Sequence, residues 1–153
     1  MKRYYLAYGS NLNIEQMKRR CPTAKVIGTA VIDDYELLFK GSKSGSYLTI
    51  EPKNGSHIPV AVWEVSAADE AALDYYEGFP TFYYKKDFKV QCHYSTSGIE
   101  WQVTAFAYIM HEDRPHGIPS PYYVRACMDG YREFGFDTGV LLAAVDNSRR
   151  LSR

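Results

Sequence analysis

A chain of 153 residues suits one domain, residues 1–153, large enough to bury roughly two thirds of the surface that its unfolded form exposes. Its 18 basic and 18 acidic residues cancel, which removes the broad positive footprint of a nucleic-acid binder and points to a small-molecule partner. Cys21, Cys92 and Cys127 are odd in number, widely spaced and without a CxxC pair, and no apolar run reaches the roughly 18 residues of a membrane span; a reduced, cytoplasmic setting is expected.

Met1-Lys2-Arg3 leads directly into a first strand near residues 3–8, with no apolar leader segment. A short helix follows over Ile14–Arg20: Asn13 can cap it, Glu15 suits its positive end, Lys18, Arg19 and Arg20 suit its negative end, and Pro22 stops it. Strands are expected at 25–32, 35–40, 46–51 and 58–65, with turns at Asp33-Asp34, Gly41 to Gly45 and Asn54-Gly55, in an antiparallel meander. Ser66 then opens a second helix with Asp69 in the capping-box position, and Gly78 and Pro80 end it. Strands near 83–92 and 100–110, joined around Ser97-Gly98, precede a loop over His111–Pro121. Helices near 122–134 and 138–147 and a solvated tail, Ser148–Arg153, complete the chain. Seven mostly sequential strands with inserted and appended helices make an α+β pattern rather than repeated βαβ units.

Three segments carry chemistry. In Tyr5-Leu6-Ala7-Tyr8-Gly9-Ser10-Asn11-Leu12 a buried strand breaks into small residues whose backbone N–H groups are left bare, which suits either a common turn or an anion-holding loop. In Leu73-Asp74-Tyr75-Tyr76-Glu77-Gly78-Phe79-Pro80 a carboxylate sits at the unfavourable end of a helix dipole, near Tyr75, Tyr76, Phe79, Phe82 and Tyr83. Glu77 is either an exposed helix-end residue or a group whose pKa is raised for proton transfer. In Pro119-Ser120-Pro121-Tyr122-Tyr123, with Gly130 beyond it, the aromatics could simply pack a loop–helix junction.

Taken together and in this order, the three segments resemble the γ-glutamylcyclotransferase family, which includes γ-glutamylamine cyclotransferases and AIG2-like proteins. Tyr8-Gly9-Ser10-Asn11-Leu12 matches its signature loop, Leu73-Asp74 with Glu77-Gly78 its Leu-Asp-x-x-Glu-Gly segment, and Pro119-Ser120 with Tyr123 its Pro-Ser-x-x-Tyr stretch. The resemblance implies a small mixed, mostly antiparallel β-barrel flanked by helices. It also implies Glu77 as general base, with Tyr5, Leu6, Ala7, Tyr8, Gly9, Ser10 and Tyr123 binding substrate. The reaction it implies closes a γ-glutamyl chain onto itself, giving 5-oxoproline and a free amine without metal or cofactor. Such chemistry needs orientation, a base for the attacking amine and stabilisation of an oxyanion. The loop amides could hold either the substrate α-carboxylate or that oxyanion. Glutathione-degrading relatives have Tyr-Gly-Ser-Leu, so Asn11 points toward γ-glutamyl amino acids or γ-glutamylamines.

Other chemistries find little in the chain. Ser10 is not in a Gly-x-Ser-x-Gly elbow, and His57, His93, His111 and His116 form neither HxH nor HExxH. Phosphate-loop motifs are missing too. A barrel that binds a small acid without turning it over is the remaining alternative, against which stands Glu77: binding an anion gains nothing from an added carboxylate.

Overall fold

The structure, a computed structural model, describes residues 2–42 and 45–152. Strands β1 (Arg3–Ala7), β2 (Lys25–Ser42), β3 (Gly45–Val65), β4 (Tyr83–Tyr94) and β5 (Glu100–Met110) close into a barrel in the order β1-β3-β2-β4-β5. Every pairing is antiparallel except the closing contact, where β1 meets β5 in parallel at Tyr5 and Phe106. The mixed, mostly antiparallel barrel implied by the resemblance is therefore the fold. Closure gives every strand two neighbours, through long ladders between β2 and β3 and between β4 and β5 and through short seams where β2 meets β4 at Gly28 and Thr29 and β1 meets β5 at Tyr5.

Five strands stand where seven are expected. The stretches 25–32 and 35–40 are one strand, and so are 46–51 and 58–65, because the ladder continues past Asp34 through a bulge. Asp34 takes a left-handed φ of 61° there and its Oδ1 accepts from the Gly55 N–H at 2.9 Å. Side-chain capping of this kind is what lets an aspartate hold such a backbone. The Asp33-Asp34 and Asn54-Gly55 signals thus mark an irregularity within a long hairpin rather than two turns. Of the turn expected over Gly41 to Gly45, Lys43 and Ser44 lie outside the described residues, while Ser42 pairs with Gly45 on either side. Nor is the sheet a simple meander: β1 pairs with β3, not with β2.

Helices α1 (Ile14–Arg20), α2 (Ala67–Glu77), α3 (Pro121–Phe134) and α4 (Thr138–Leu151) follow their sequence signals closely. Asn13 caps α1, and Ser66 with Asp69 forms the full capping box of α2. The expected tail is a correction: α4 runs on to Leu151, with Ser148 buried, because Ala144 and Ser148 continue the face that begins with the buried Leu141. β5 is buried on both faces from Ala105 to Met110, which accounts for its unbroken apolar run.

Candidate active site

The chain leaves β1 after Ala7, crosses Tyr8 and Gly9 and makes one 3-10 turn over Ser10–Leu12. The first amides of such a turn have no partner within it. α3 lies directly on this turn: a Cβ at Gly130 would come within 2.5 Å of Leu12 Cβ, so only glycine allows the approach. Asn13 Nδ2 adds a bond to the Ala126 carbonyl at 3.2 Å. The Pro-Ser-x-x-Tyr stretch has a local cause as well. Ser120 caps α3, accepting from the Tyr123 N–H at 3.1 Å, with Pro121 in the first turn, and this delivers Tyr123 on that turn beside Gly9. The C-terminal end of α2 completes the arrangement. Gly78, at φ 64°, reverses the chain after Glu77, and the Phe79 N–H bonds back to the Asp74 carbonyl at 2.9 Å.

These pieces enclose a cavity of about 230 Å³. Tyr5, Tyr8, Gly9, Ser10, Glu77 and Tyr123 all line it, so residues spread over the whole chain come together. Leu6 and Ala7 do not: their side chains are fully buried in the barrel, paired with Val62 and Ala61 of β3. Of the aromatics around Glu77, Tyr76, Phe82 and Tyr83 reach the cavity, whereas Tyr75 is 92% exposed and Phe79 packs edge-on against Tyr108. No histidine lines it, and Ser10 Oγ is within 3.0 Å of the Tyr76 hydroxyl, an arrangement without a base for a serine nucleophile.

Among the described residues Glu77 is the only acid in this wall. Among the described residues nothing hydrogen-bonds to its carboxylate. Burial pushes its pKa up to about 8, with the Arg20 guanidinium pulling the other way. Around it the tyrosine hydroxyls are fixed by the fold. Tyr8 donates to the Tyr108 carbonyl at 2.6 Å, Tyr83 to the Leu48 carbonyl at 2.8 Å, and Tyr108 to Asp74 Oδ1 at 2.6 Å. Tyr123 accepts from the Leu48 N–H at 3.2 Å. Burial first, and the charge of Glu77 in addition, hold Tyr5, Tyr8 and Tyr83 well above the ordinary phenol value, so they act as neutral hydroxyls.

Sequence reasoning set Tyr76, Phe82 and Tyr83 beside Glu77 without giving them a part in substrate binding, and it missed Tyr47, Leu48 and Tyr108 as lining residues. Tyr47 and Leu48 come from β3, far from any motif, and Tyr108 lies in a strand buried on both faces, where nothing local distinguishes it. Asp74 has a definite task too. It accepts from Tyr108 and pairs with Lys85 Nζ at 2.8 Å, anchoring α2 to β4 and β5. No group of three or more His, Cys, Asp or Glu side chains capable of holding a metal occurs among the described residues.

Known proteins resemble this one in sequence and fold. Human γ-glutamylcyclotransferase is 30% identical over 141 residues, covering 86% of this chain and 71% of that protein, and the mouse protein of the same name is 31% identical over the same shares. A solved γ-glutamyl cyclotransferase superposes with a TM-score of 0.75 at 27% identity over 99% of this chain and 88% of that one. A mouse AIG2-like protein shares the fold at a TM-score of 0.57 and 18% identity, over 80% of this chain and 82% of its own. Residues 5–125 match the family described as "Gamma-glutamyl cyclotransferase, AIG2-like", a span that holds the Gly9–Ser10 loop, Glu77 and Tyr123, and the chain belongs to that family.

Proposed function

We propose that the protein converts a γ-glutamyl amino acid or a γ-glutamylamine to 5-oxoproline and the released amine, with Glu77 as general base. The observation that carries this reading is a lone carboxylate, without a hydrogen-bond partner, in a small tyrosine-lined cavity. The substrate's α-amine attacks its own γ-carbonyl carbon. Glu77 accepts the amine proton, the γ-oxygen becomes an oxyanion, and collapse breaks the bond to the leaving nitrogen, which takes the proton back from Glu77.

The raised pKa suits the task. An ordinary glutamate at about 4.5 facing an α-amine at about 8 would accept its proton at a cost of about 5 kcal/mol, at ~1.36 kcal/mol per pKa unit. With Glu77 at about 8, that step is close to balanced. The bare amides after Gly9 and the Tyr123 hydroxyl would hold the substrate's negative oxygens. Cavity size supports a small ligand, and three unpaired buried cysteines support a reducing, cytoplasmic setting. Incubation with γ-glutamyl amino acids, γ-glutamylamines and glutathione, with detection of 5-oxoproline, tests the proposal. Release from the first two classes is expected, and release from none of the three would refute it.

A further inference from the structure

The hydroxyls that line the cavity are not equivalent. Tyr8, Tyr83 and Tyr108 donate their protons to protein acceptors. Tyr5 is different: only 4% of it is exposed, its oxygen accepts from Asn11 Nδ2 at 2.9 Å, and no described residue accepts its proton. The direction of that bond is set one step further back. Arg20 donates to Asn11 Oδ1 at 2.5 Å and to Gln16 Oε1 at 2.9 Å, and its guanidinium lies 3.6 Å over the ring of Tyr76.

A guanidinium has donors and no acceptor, so the Asn11 side chain must turn its oxygen to Arg20 and its NH2 to Tyr5. The Tyr5 oxygen is then the acceptor, and its O–H is left to point away from Asn11, in the wall of a cavity that Tyr5 and Asn11 both line. We propose that Arg20 and Asn11 are positioning residues that make Tyr5 a one-way hydrogen-bond donor into the cavity, toward an anionic oxygen of the ligand. The identity of that ligand rests on the function proposed above; the polarity of the relay does not. Arg20 also ties the Ser10–Leu12 turn to α2 through Tyr76, whose hydroxyl meets Ser10 Oγ. One cation thus sets both the direction of a donor and the spacing of two walls.

Asn11→Asp reverses the relay with little change of shape. An aspartate still accepts from Arg20, but it offers Tyr5 a second acceptor and draws the phenol proton away from the cavity. A mutant cycle reads this reversal. In the wild-type background Tyr5→Phe should lower kcat/KM by about tenfold, as loss of a hydrogen bond to an anionic oxygen does. In the Asn11→Asp background the same change should cost less than about twofold. Weaker binding of 5-oxoproline to Tyr5→Phe assigns the donor to the carboxylate; unchanged binding with a reduced kcat assigns it to the oxyanion.

Tyrosine labelled with carbon-13 at Cζ supplies a readout independent of turnover. The Tyr5 resonance, identified by its loss in Tyr5→Phe, should shift between ligand-free wild type and ligand-free Asn11→Asp. In wild type alone it should shift again when 5-oxoproline is added. Equal Tyr5→Phe costs in both backgrounds, or a Cζ resonance that neither Asn11→Asp nor 5-oxoproline moves, would overturn the proposal. A protein that turns over no γ-glutamyl compound but shows the ligand-free shift would refute the proposed function and leave the relay standing.

Discussion

Asp69 in the first turn of α2 and Glu77 in its last are both carboxylates set into protein, and their surroundings push them in opposite directions. For Asp69 burial would raise the pKa, but the Ser66 N–H, bonded at 3.0 Å, and the Thr23 hydroxyl, at 2.7 Å, outweigh it and the net shift is downward. The positive end of the helix dipole acts in the same sense. Glu77 has burial without such bonds, at the negative end of the same helix, and moves to about 8. One helix therefore holds a carboxylate that stabilises the fold and another that the fold tolerates at a cost. A buried charge whose hydrogen bonds are satisfied reads as structural; an unsatisfied one in a cavity is a candidate for chemistry on a ligand.

The strongest way to break this contrast is to remove the charge at each end in turn. Glu77→Gln keeps size and reach but cannot take a proton, and 5-oxoproline formation should fall by roughly 10²–10⁴-fold in a protein that remains folded. Asp74→Asn is the control between them. It keeps an acceptor for Tyr108 and gives up the charge facing Lys85, so its effect should be much smaller. Near-normal turnover by a folded Glu77→Gln protein would remove Glu77 from the mechanism.

The pH dependence sharpens the same point. The base works ionised, so kcat/KM should rise with pH and level off above about 8, the value to which burial pushes Glu77. Stability should run the other way. Because the folded state holds this proton more tightly than the unfolded chain, the Glu77 contribution is fully present below the ordinary glutamate range near 4.5 and is lost as pH rises toward about 8. Glu77→Gln should flatten that decline in a melting series between these limits. A decline of equal slope in the variant would place the titration elsewhere.

At the other end, Asp69→Ala breaks the capping box, leaves the Ser66 N–H without its acceptor and leaves the Thr23 hydroxyl only Ser66 Oγ, at 3.1 Å. A loss of about 1–2 kcal/mol in denaturant unfolding is expected, with kcat retained in the folded fraction. A fall in kcat at unchanged stability would reverse the roles assigned to the two ends.

The same contrast explains what could be read in advance. Asp69 announces itself locally, since Ser66 three residues earlier is the capping signal, and the helix follows from it. Glu77 can be noticed locally, as an acid among aromatics before a helix-ending glycine, but its isolation depends on Tyr5 of β1, Tyr8 just beyond that strand and Tyr83 of β4. No spacing within the chain encodes that meeting. Barrel closure, the pairing of β1 with β3 and the burial of Tyr108 are likewise products of long-range register. The bulge at Asp34 misled for a related reason: Asp-Asp followed later by Asn-Gly satisfies the chemistry of turns, yet the ladder on either side continues across it. Arg20 looked like a helix-end cation complementing the dipole of α1. Only the packed structure shows its guanidinium on Tyr76 and Asn11.

The smallest expected effect probes the wall around Glu77 rather than the carboxylate itself. Tyr123 and Tyr122 are neighbours in sequence with opposite placements: Tyr122 is 73% exposed, while Tyr123 lines the cavity, packs edge-on against Tyr47 and Phe39, and accepts from the Leu48 N–H. Tyr123→Phe keeps the ring, and hence the packing, but deletes the oxygen that lies 3.3 Å from where a Cβ on Gly9 would stand. Two losses follow: a hydrogen bond to substrate, and an acceptor for the Leu48 amide. Each is worth about 0.5–1.5 kcal/mol, so kcat/KM should fall by up to roughly tenfold while thermal stability drops modestly. Tyr122→Phe removes a hydroxyl already in water and should change neither quantity. The comparison turns on the pair, measured on one substrate. A damaged Tyr122→Phe beside a kinetically normal Tyr123→Phe would mean that substrate approaches along the outer face of α3, not through the cavity that Glu77 faces.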